Sequence, residues 1–360
     1  MRIQLFLALV IAAGCGSVTA LPDAPPELPP AYLGAWQASS GDLWASSYGT
    51  PRFMQFDEDG GGSLYTRFEP AGVLGCGLGF LHAGLFEGVI ALDIQGQRIY
   101  HYELADENTL VLSDQAGRTL TLTRTTEVPA NAKCGELQVA QAVTDIHVQM
   151  HGFSGLGIAS PTAFWISGQD YLPYTINPST GVATAAPYGG GQYVHVQTFE
   201  GANYWAHCGC GGSQDIQLRT PDANPAAVTT IDTVTLGAGI SVRAAAWDGM
   251  HLWLGGGARD GSGKTRILKI ATSAGERTLA DSFEFTGIQS LGTVDGKLYA
   301  IANGLGPTLV RIDTTTKLAA ASYALPAGYQ WRALAGAAGS LWLAGNEPDG
   351  DLRLLRVTAP

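Results

Sequence analysis

From about residue 30 onward, short apolar runs alternate with polar residues and are separated by turns rich in Gly, Asp and Asn. A period of two predicts strands with one buried face, and long helices have no place in this texture. One phrase returns five times: AFWIS at 163–167, NYWAH at 203–207, HLWLG at 251–255, KLYAI at 297–301 and SLWLA at 340–344. Its anchoring aromatics, Trp165, Trp205, Trp253, Tyr299 and Trp342, lie 40 to 48 residues apart. That is the period of a repeat built from about four short strands, and it predicts a β-propeller.

Aligned on the aromatic, the repeats share a polar position. Ten residues upstream stand His195, Arg243, Gln289 and Arg332, each behind a large apolar residue (Val194, Val242, Ile288, Trp331). The first repeat supplies Ile146-His147 if its hairpin is about eight residues longer. Each repeat then reads as an inner strand, a Gly-containing turn, the aromatic strand and a third strand such as TRILKIATSAG or TLVRIDTTTK. The fifth repeat reaches Pro360 after its third strand, so Leu137 to Val143 is expected to supply the fourth and remove the free edges. The expected fold is all-β, with a five-bladed β-propeller over 137–360 behind a smaller domain. The pattern hLWh-G … hhRID-x-T-T resembles the repeats of bacterial NHL-, kelch- and quinoprotein-like propellers, without the full signature of any. No cofactor follows from it.

Residues 31–130 begin at Gly34-Ala35-Trp36 and continue through PRFMQFDEDGGGSLYTRF, a strand, an Asp-Gly turn and a second strand. Turns at Gln95-Gly96, Asp106-Glu107-Asn108 and Gln115-Ala116-Gly117 divide later alternating runs, giving an antiparallel meander of six to eight strands. The Gly34-x-Trp36 start, the Phe56-x-x-Asp59-Gly60-x-Gly62 hairpin and the Asn108-Thr109-Leu110 … Gly117-x-Thr119-Leu120 finish resemble the small lipocalin-like domains of bacterial secreted proteins. The resemblance implies a small barrel and no particular ligand. LGCGLGFLHAGLF at 74–86, Gly-rich and without strict alternation, reads as a loop over the barrel mouth held by Cys76. Asp57, Glu58 and Asp59 read as a solvated hairpin turn, because the following glycines supply no side-chain oxygens for calcium.

The N-terminus changes the setting. Arg2 precedes an apolar run from Ile3 to Ala13, too short to span a bilayer, that ends in Ala12-Ala13-Gly14-Cys15. This resembles a bacterial lipoprotein signal over 1–14, which implies acylation of Cys15; Ala12 departs from the Leu, Val or Ile usual there. Cleavage after Ala20 is the rival reading. Residues 15–30, with five prolines in LPDAPPELPP, form a semi-rigid tether. With no Asp directly after Cys15, the same resemblance implies an extracytoplasmic location, lipid-anchored to the outer membrane on its periplasmic or cell-surface face. The other four cysteines suit an oxidising compartment as Cys76–Cys134 and Cys208–Cys210 disulfides. A formal net charge of −11 without a Lys/Arg cluster argues against nucleic acid.

The chemistry-bearing positions allow several functions. His147, His195, Arg243, Gln289 and Arg332 form a polar ring suited to an anion or a glycan hydroxyl array, and loop aromatics Tyr171, Tyr174 and Tyr188 suit stacking on a ligand. Trp247 and Trp331 read as packing. His207, Cys208 and Cys210 with His251 form an alternative zinc or copper set, although Cys-x-Cys is not the usual chelating spacing. A secreted carbohydrate-active hydrolase or lyase would need two carboxylates across a cleft, and no pair is marked: Asp248, Asp295, Asp313 and Asp349 fall in turns, with Asp145, Asp170 and Glu200 nearer the ring end. The reading is a non-catalytic binding or scaffolding module for a glycan or an envelope protein, with no catalytic residue, metal or cofactor assigned.

Overall fold

The computed structural model describes residues 29–360, apart from 42, 44–49, 59–60, 69–70, 81–82, 87–88, 94–96, 147–154, 161–162, 168–172, 186–192, 200–201, 208–215, 220–228, 232–238, 261, 263, 273–276, 286, 305, 327–328, 338, 347–351 and 359–360. The described residues are strands joined by turns, with one short 3-10 turn at Ala130–Ala132. The fold is all-β, with a propeller-like arrangement of small sheets. The described residues fall into two compact units: those within Met1–Leu43, Phe53–Leu64 and Gly79–Val128 in one, and those within Trp44–Arg52, Tyr65–Leu78 and Pro129–Pro360 in the other.

A nine-stranded sheet runs in the order Val73–Phe80, Gly62–Phe68, Thr50–Phe56, Gly34–Gly41, Thr119–Thr125, Thr109–Ser113, Gln97–Asp106, Val89–Asp93 and Ala83–Phe86. It is a meander longer than the six to eight strands expected, and its first strand pairs with its last, Trp36 opposite Arg124. Period-two burial explains the strands: Leu110, Leu112, Leu120 and Leu122 are buried, while Thr109, Val111 and Thr121 between them are only half-buried. The loop expected over 74–86 is instead two strands, Val73–Phe80 and Ala83–Phe86. Gly75, Gly77 and Gly79 fall on alternate positions, so they share one side of the strand with Val73 and the period of two survives.

The first unit is held by Trp36, which is fully buried and donates its indole N–H to the Tyr32 carbonyl at 2.9 Å. The Arg124 guanidinium lies over the indole at 4.2 Å. It also donates to the carbonyls of Leu33 at 2.8 Å, Glu107 at 3.0 Å and Ala31, fixing the chain where it enters Gly34–Gly41.

Among the described residues the second unit carries five small sheets. The first comprises Gly155–Ser160, Ala163–Ser167, Pro173–Ile176 and Ala183–Ala185; the second Tyr193–Phe199, Ala202–His207, Ile216–Arg219 and Thr229–Ile231. The third is Ile240–Trp247, His251–Ala258, Thr265–Ala271 and Thr278–Glu284. The fourth is Ile288–Val294, Lys297–Gly304, Gly306–Asp313 and Leu318–Ala324, extended by Gly135–Glu136 parallel to its last strand. The fifth is Gln330–Ala337, Ser340–Asn346 and Leu352–Thr358, completed by Val139–Ile146 antiparallel to Leu352–Thr358. That last pairing is the strand loan expected from the sequence, here reaching Ile146 opposite Leu352. It also corrects the first repeat. Ile146 belongs to the borrowed strand, and the opening strand of the first sheet is Gly155–Ser160, closed on Ala163–Ser167 by a short hairpin. His147 lies outside the described residues.

The aromatic phrase is a packing element. Trp165, Trp253, Tyr299 and Trp342 are buried; the last three lie in hydrophobic cores, and Trp342 meets Phe164 of the first sheet with ring centroids 5.1 Å apart. The segment 65–78 joins the core of the fourth sheet: Ala71 and Val73 pack with Phe285 and Ile312, and Ala319 donates its N–H to the Ala71 carbonyl at 2.8 Å. The Cys76–Cys134 disulfide ties this segment to the residue before Gly135–Glu136.

Candidate functional site

The opening strands of the five sheets touch in succession, first to second, second to third, third to fourth and fourth to fifth, and the first also touches the fifth. Only one edge of each is paired within its own sheet, so the other edge needs partners for its backbone groups. In the fourth sheet two hydroxyls meet that need. Ser290 accepts from the Leu334 N–H at 2.9 Å and donates to the Leu334 carbonyl at 3.4 Å, while Thr293 donates to the Trp247 carbonyl. Gly336 keeps the fourth and fifth opening strands close, since a Cβ there would stand 1.9 Å from the Thr293 carbonyl oxygen. The third, fourth and fifth opening strands are thus clamped side by side.

On these strands the sequence-aligned polar residues occupy one structural position. Val242 pairs with Gly256 and Ala244 with Gly255, which leaves Arg243 as the extra residue of a β-bulge. Ile288 and Ser290 flank Gln289 in the same way against Ala302 and Ile301. Trp331 and Ala333 flank Arg332 against Gly345 and Ala344. A bulge frees its extra residue from the ladder and re-aims its side chain. Arg243 is exposed, Gln289 and Arg332 are half-buried, and the residue on either side of each is buried. Of the three bulge residues, Gln289 and Arg332 each bury a polar atom without a hydrogen-bond partner among the described residues, Oε1 and Nε; one terminal nitrogen of Arg332 donates to Gln330 Oε1 at 3.1 Å.

His195 stands elsewhere in register. It pairs with Ala206 and Val196 with Trp205, so the extra residue of that hairpin is Val194, because the second hairpin has one more residue pair between its aromatic and its turn than the fourth and fifth. Tyr171 and Tyr188 lie outside the described residues. Tyr174, expected as a surface contact, is half-buried and packs on Phe164, Ile166 and Ile176. Trp331 is buried in the core as expected.

The turn acids have structural work. Asp248 accepts hydrogen bonds from the backbone N–H groups of Met250 at 2.8 Å and His251 at 2.6 Å, and from the Trp253 indole at 2.8 Å. Burial pushes its pKa up, but these bonds and the His251 ring outweigh it and hold the carboxyl below its ordinary value. Asp313 caps its own turn through Thr315 and Thr316, and Asp281 pairs with Lys317 at 2.8 Å. Asp170, Glu200 and Asp349 lie outside the described residues. So do Cys208 and Cys210; His207 ends its strand, and the His251 ring faces Asp248 at 3.3 Å. Among the described residues no group of three or more His, Cys, Asp or Glu is placed to hold a metal.

No family model and no curated protein matches the chain. Among solved structures it is similar to a glutaminyl cyclase from Myxococcus xanthus, at 11% identity and a TM-score of 0.43, covering 62% of this chain and 97% of that one. A putative oxidoreductase (glucose dehydrogenase) from Thermus thermophilus gives 14% and 0.38, over 61% and 99% of the two chains. A DUF4623 family protein from Bacteroides eggerthii gives 10% and 0.38, over 79% and 74%. No residue role passes from them to this chain.

Proposed function

We propose that the chain is an extracytoplasmic, lipid-anchored binding or scaffolding module: acylated on Cys15, tethered by 15–30, with a lipocalin-like barrel over 31–130 and a five-bladed propeller over 137–360. It takes a glycan or an envelope protein on one propeller face without chemistry. The observation that carries the binding role is the common bulge position of Arg243, Gln289 and Arg332 on three clamped strands. Preorganised polar groups leaving an apolar core at one level are what a binding face requires. The succession of touching opening strands, with the first against the fifth, supports a ring of five blades. Pairing of the first and last strands of the meander supports a barrel. The Cys76–Cys134 disulfide supports an oxidising compartment.

The test is a binding screen of the full chain in detergent against arrayed glycans and envelope extract, run beside the triple variant Arg243→Ala, Gln289→Ala, Arg332→Ala. A ligand held by the wild type and lost by the triple variant is the expected result; no ligand, or retention by the variant, overturns the reading. For the anchor, metabolic labelling with a fatty acid tags the wild type and not Cys15→Ser, and equal labelling refutes acylation.

A further inference from the structure

The opening strands differ in charge from the chain around them. GLGIAS, YVHVQTF, ISVRAAAW, IQSLGTV and QWRALAGA hold two arginines and one histidine and no carboxylate, in a protein of formal net charge −11. Both arginines are bulge residues, so the two cations are presented on strands either side of the neutral Gln289.

The orphaned atoms specify what is missing. Arg332 Nε–H is a donor without an acceptor, and Gln289 Oε1 is an acceptor without a donor. A guanidinium edge is matched best by a carboxylate, whose two oxygens take parallel N–H groups. An amide oxygen between two such cations calls for a hydroxyl. Across the third, fourth and fifth opening strands the order is therefore cation, acceptor, cation. The complementary ligand carries anion, hydroxyl, anion, which is the repeating chemistry of consecutive acidic sugars.

We infer that this face binds a polyuronate-type glycan, with successive carboxylates on the Arg243 and Arg332 guanidinium groups and a ring hydroxyl donating to Gln289 Oε1 once that half-buried side chain turns outward. This rests on the binding-module reading and names its ligand class. A neutral glycan would offer neither guanidinium a counter-charge, on strands that carry no carboxylate of their own. The Ser290 and Thr293 clamps hold the backbone of the three strands before any ligand arrives, so binding has only side chains to order.

Polygalacturonic acid titrated against the full chain in detergent is the probe, beside its methyl-esterified form and poly-L-glutamate. Tight binding of the acid, with the ester and the polypeptide each at least roughly 10-fold weaker, is the expected result. Arg332→Ala and Arg243→Ala should each weaken binding roughly 10- to 100-fold, Arg332→Lys less than Arg332→Ala, with unchanged urea midpoints showing that the variants are folded. Equal binding of acid and ester overturns the anionic ligand and leaves the binding module standing. Equal binding of polyglutamate shows an anion site with no sugar preference and overturns the glycan. No binding of any acidic polymer overturns the inference, and the wider screen then decides separately whether the face binds anything.

Discussion

Ser290→Ala tests whether the opening strands are held together as described. Ser290 is 2% exposed, and its hydroxyl is the partner of both backbone groups of Leu334, itself fully buried. The substitution leaves a buried N–H without an acceptor, which costs about 1–3 kcal/mol. Loss of the weaker bond to the carbonyl adds little, and removal of one buried hydroxyl returns part of its own desolvation cost, so a net loss of about 1–2 kcal/mol is expected. For a unit of roughly 150–250 residues that lowers Tm by about 2–8 °C. Urea unfolding should show an earlier midpoint at unchanged slope, since the surface exposed on unfolding stays the same. Amide exchange supplies the local readout: Leu334 should lose protection while Leu309, in the third-strand interior of the fourth sheet, keeps its own. An unchanged midpoint with Leu334 still protected would refute the clamp.

The Cys76–Cys134 bond closes a separation of 58 residues, so its removal by Cys76→Ser with Cys134→Ser should cost about 2–4 kcal/mol through the freedom returned to the unfolded chain. Urea midpoints with and without reductant check this, and the double variant should be insensitive to reductant if the remaining thiols play no part. The Asp248 carboxyl is held below its ordinary value of 3.8, so its contribution is complete above that pH and disappears as pH falls through the depressed folded value. Asp248→Asn should accordingly be less stable than wild type at neutral pH by about 1–3 kcal/mol, with the gap closing below about pH 4 in midpoints measured from about pH 2 to 7. A gap that persists unchanged at the acid end would show that shape, and not charge, is what the turn needs.

What the sequence revealed depended on whether each signal was a packing demand or a count along the chain. The aromatic phrase was legible because a large ring buried once per sheet has to recur at the sheet's own period, as Trp253, Tyr299 and Trp342 do. The borrowed strand followed from the same logic, since Leu352–Thr358 without a fourth strand would leave an open edge. Gly75, Gly77 and Gly79 misled because glycine reads as a turn signal, although three glycines at alternate positions preserve the pleat and only remove side chains from one face. The alignment by count keeps its register in three sheets and loses it in another for one reason. Counting ten residues back from the aromatic assumes equal hairpins, and the count holds where Ala246, Gly292 and Ala335 sit opposite Trp253, Tyr299 and Trp342. In the second sheet the residue opposite Trp205 is Val196, further back along the chain from its aromatic than in those three sheets, and His195 falls out of the bulge. No residue type announces a bulge. The available signal was a polar residue directly after a large apolar one in an opening strand, and Ser290 beside Gln289 carried a second one: a hydroxyl in a strand interior that needs a backbone partner from the next sheet. Residues that break the apolar texture of these strands are therefore of two kinds, those that join neighbouring sheets and those that leave the core, and only cross-strand pairing tells them apart.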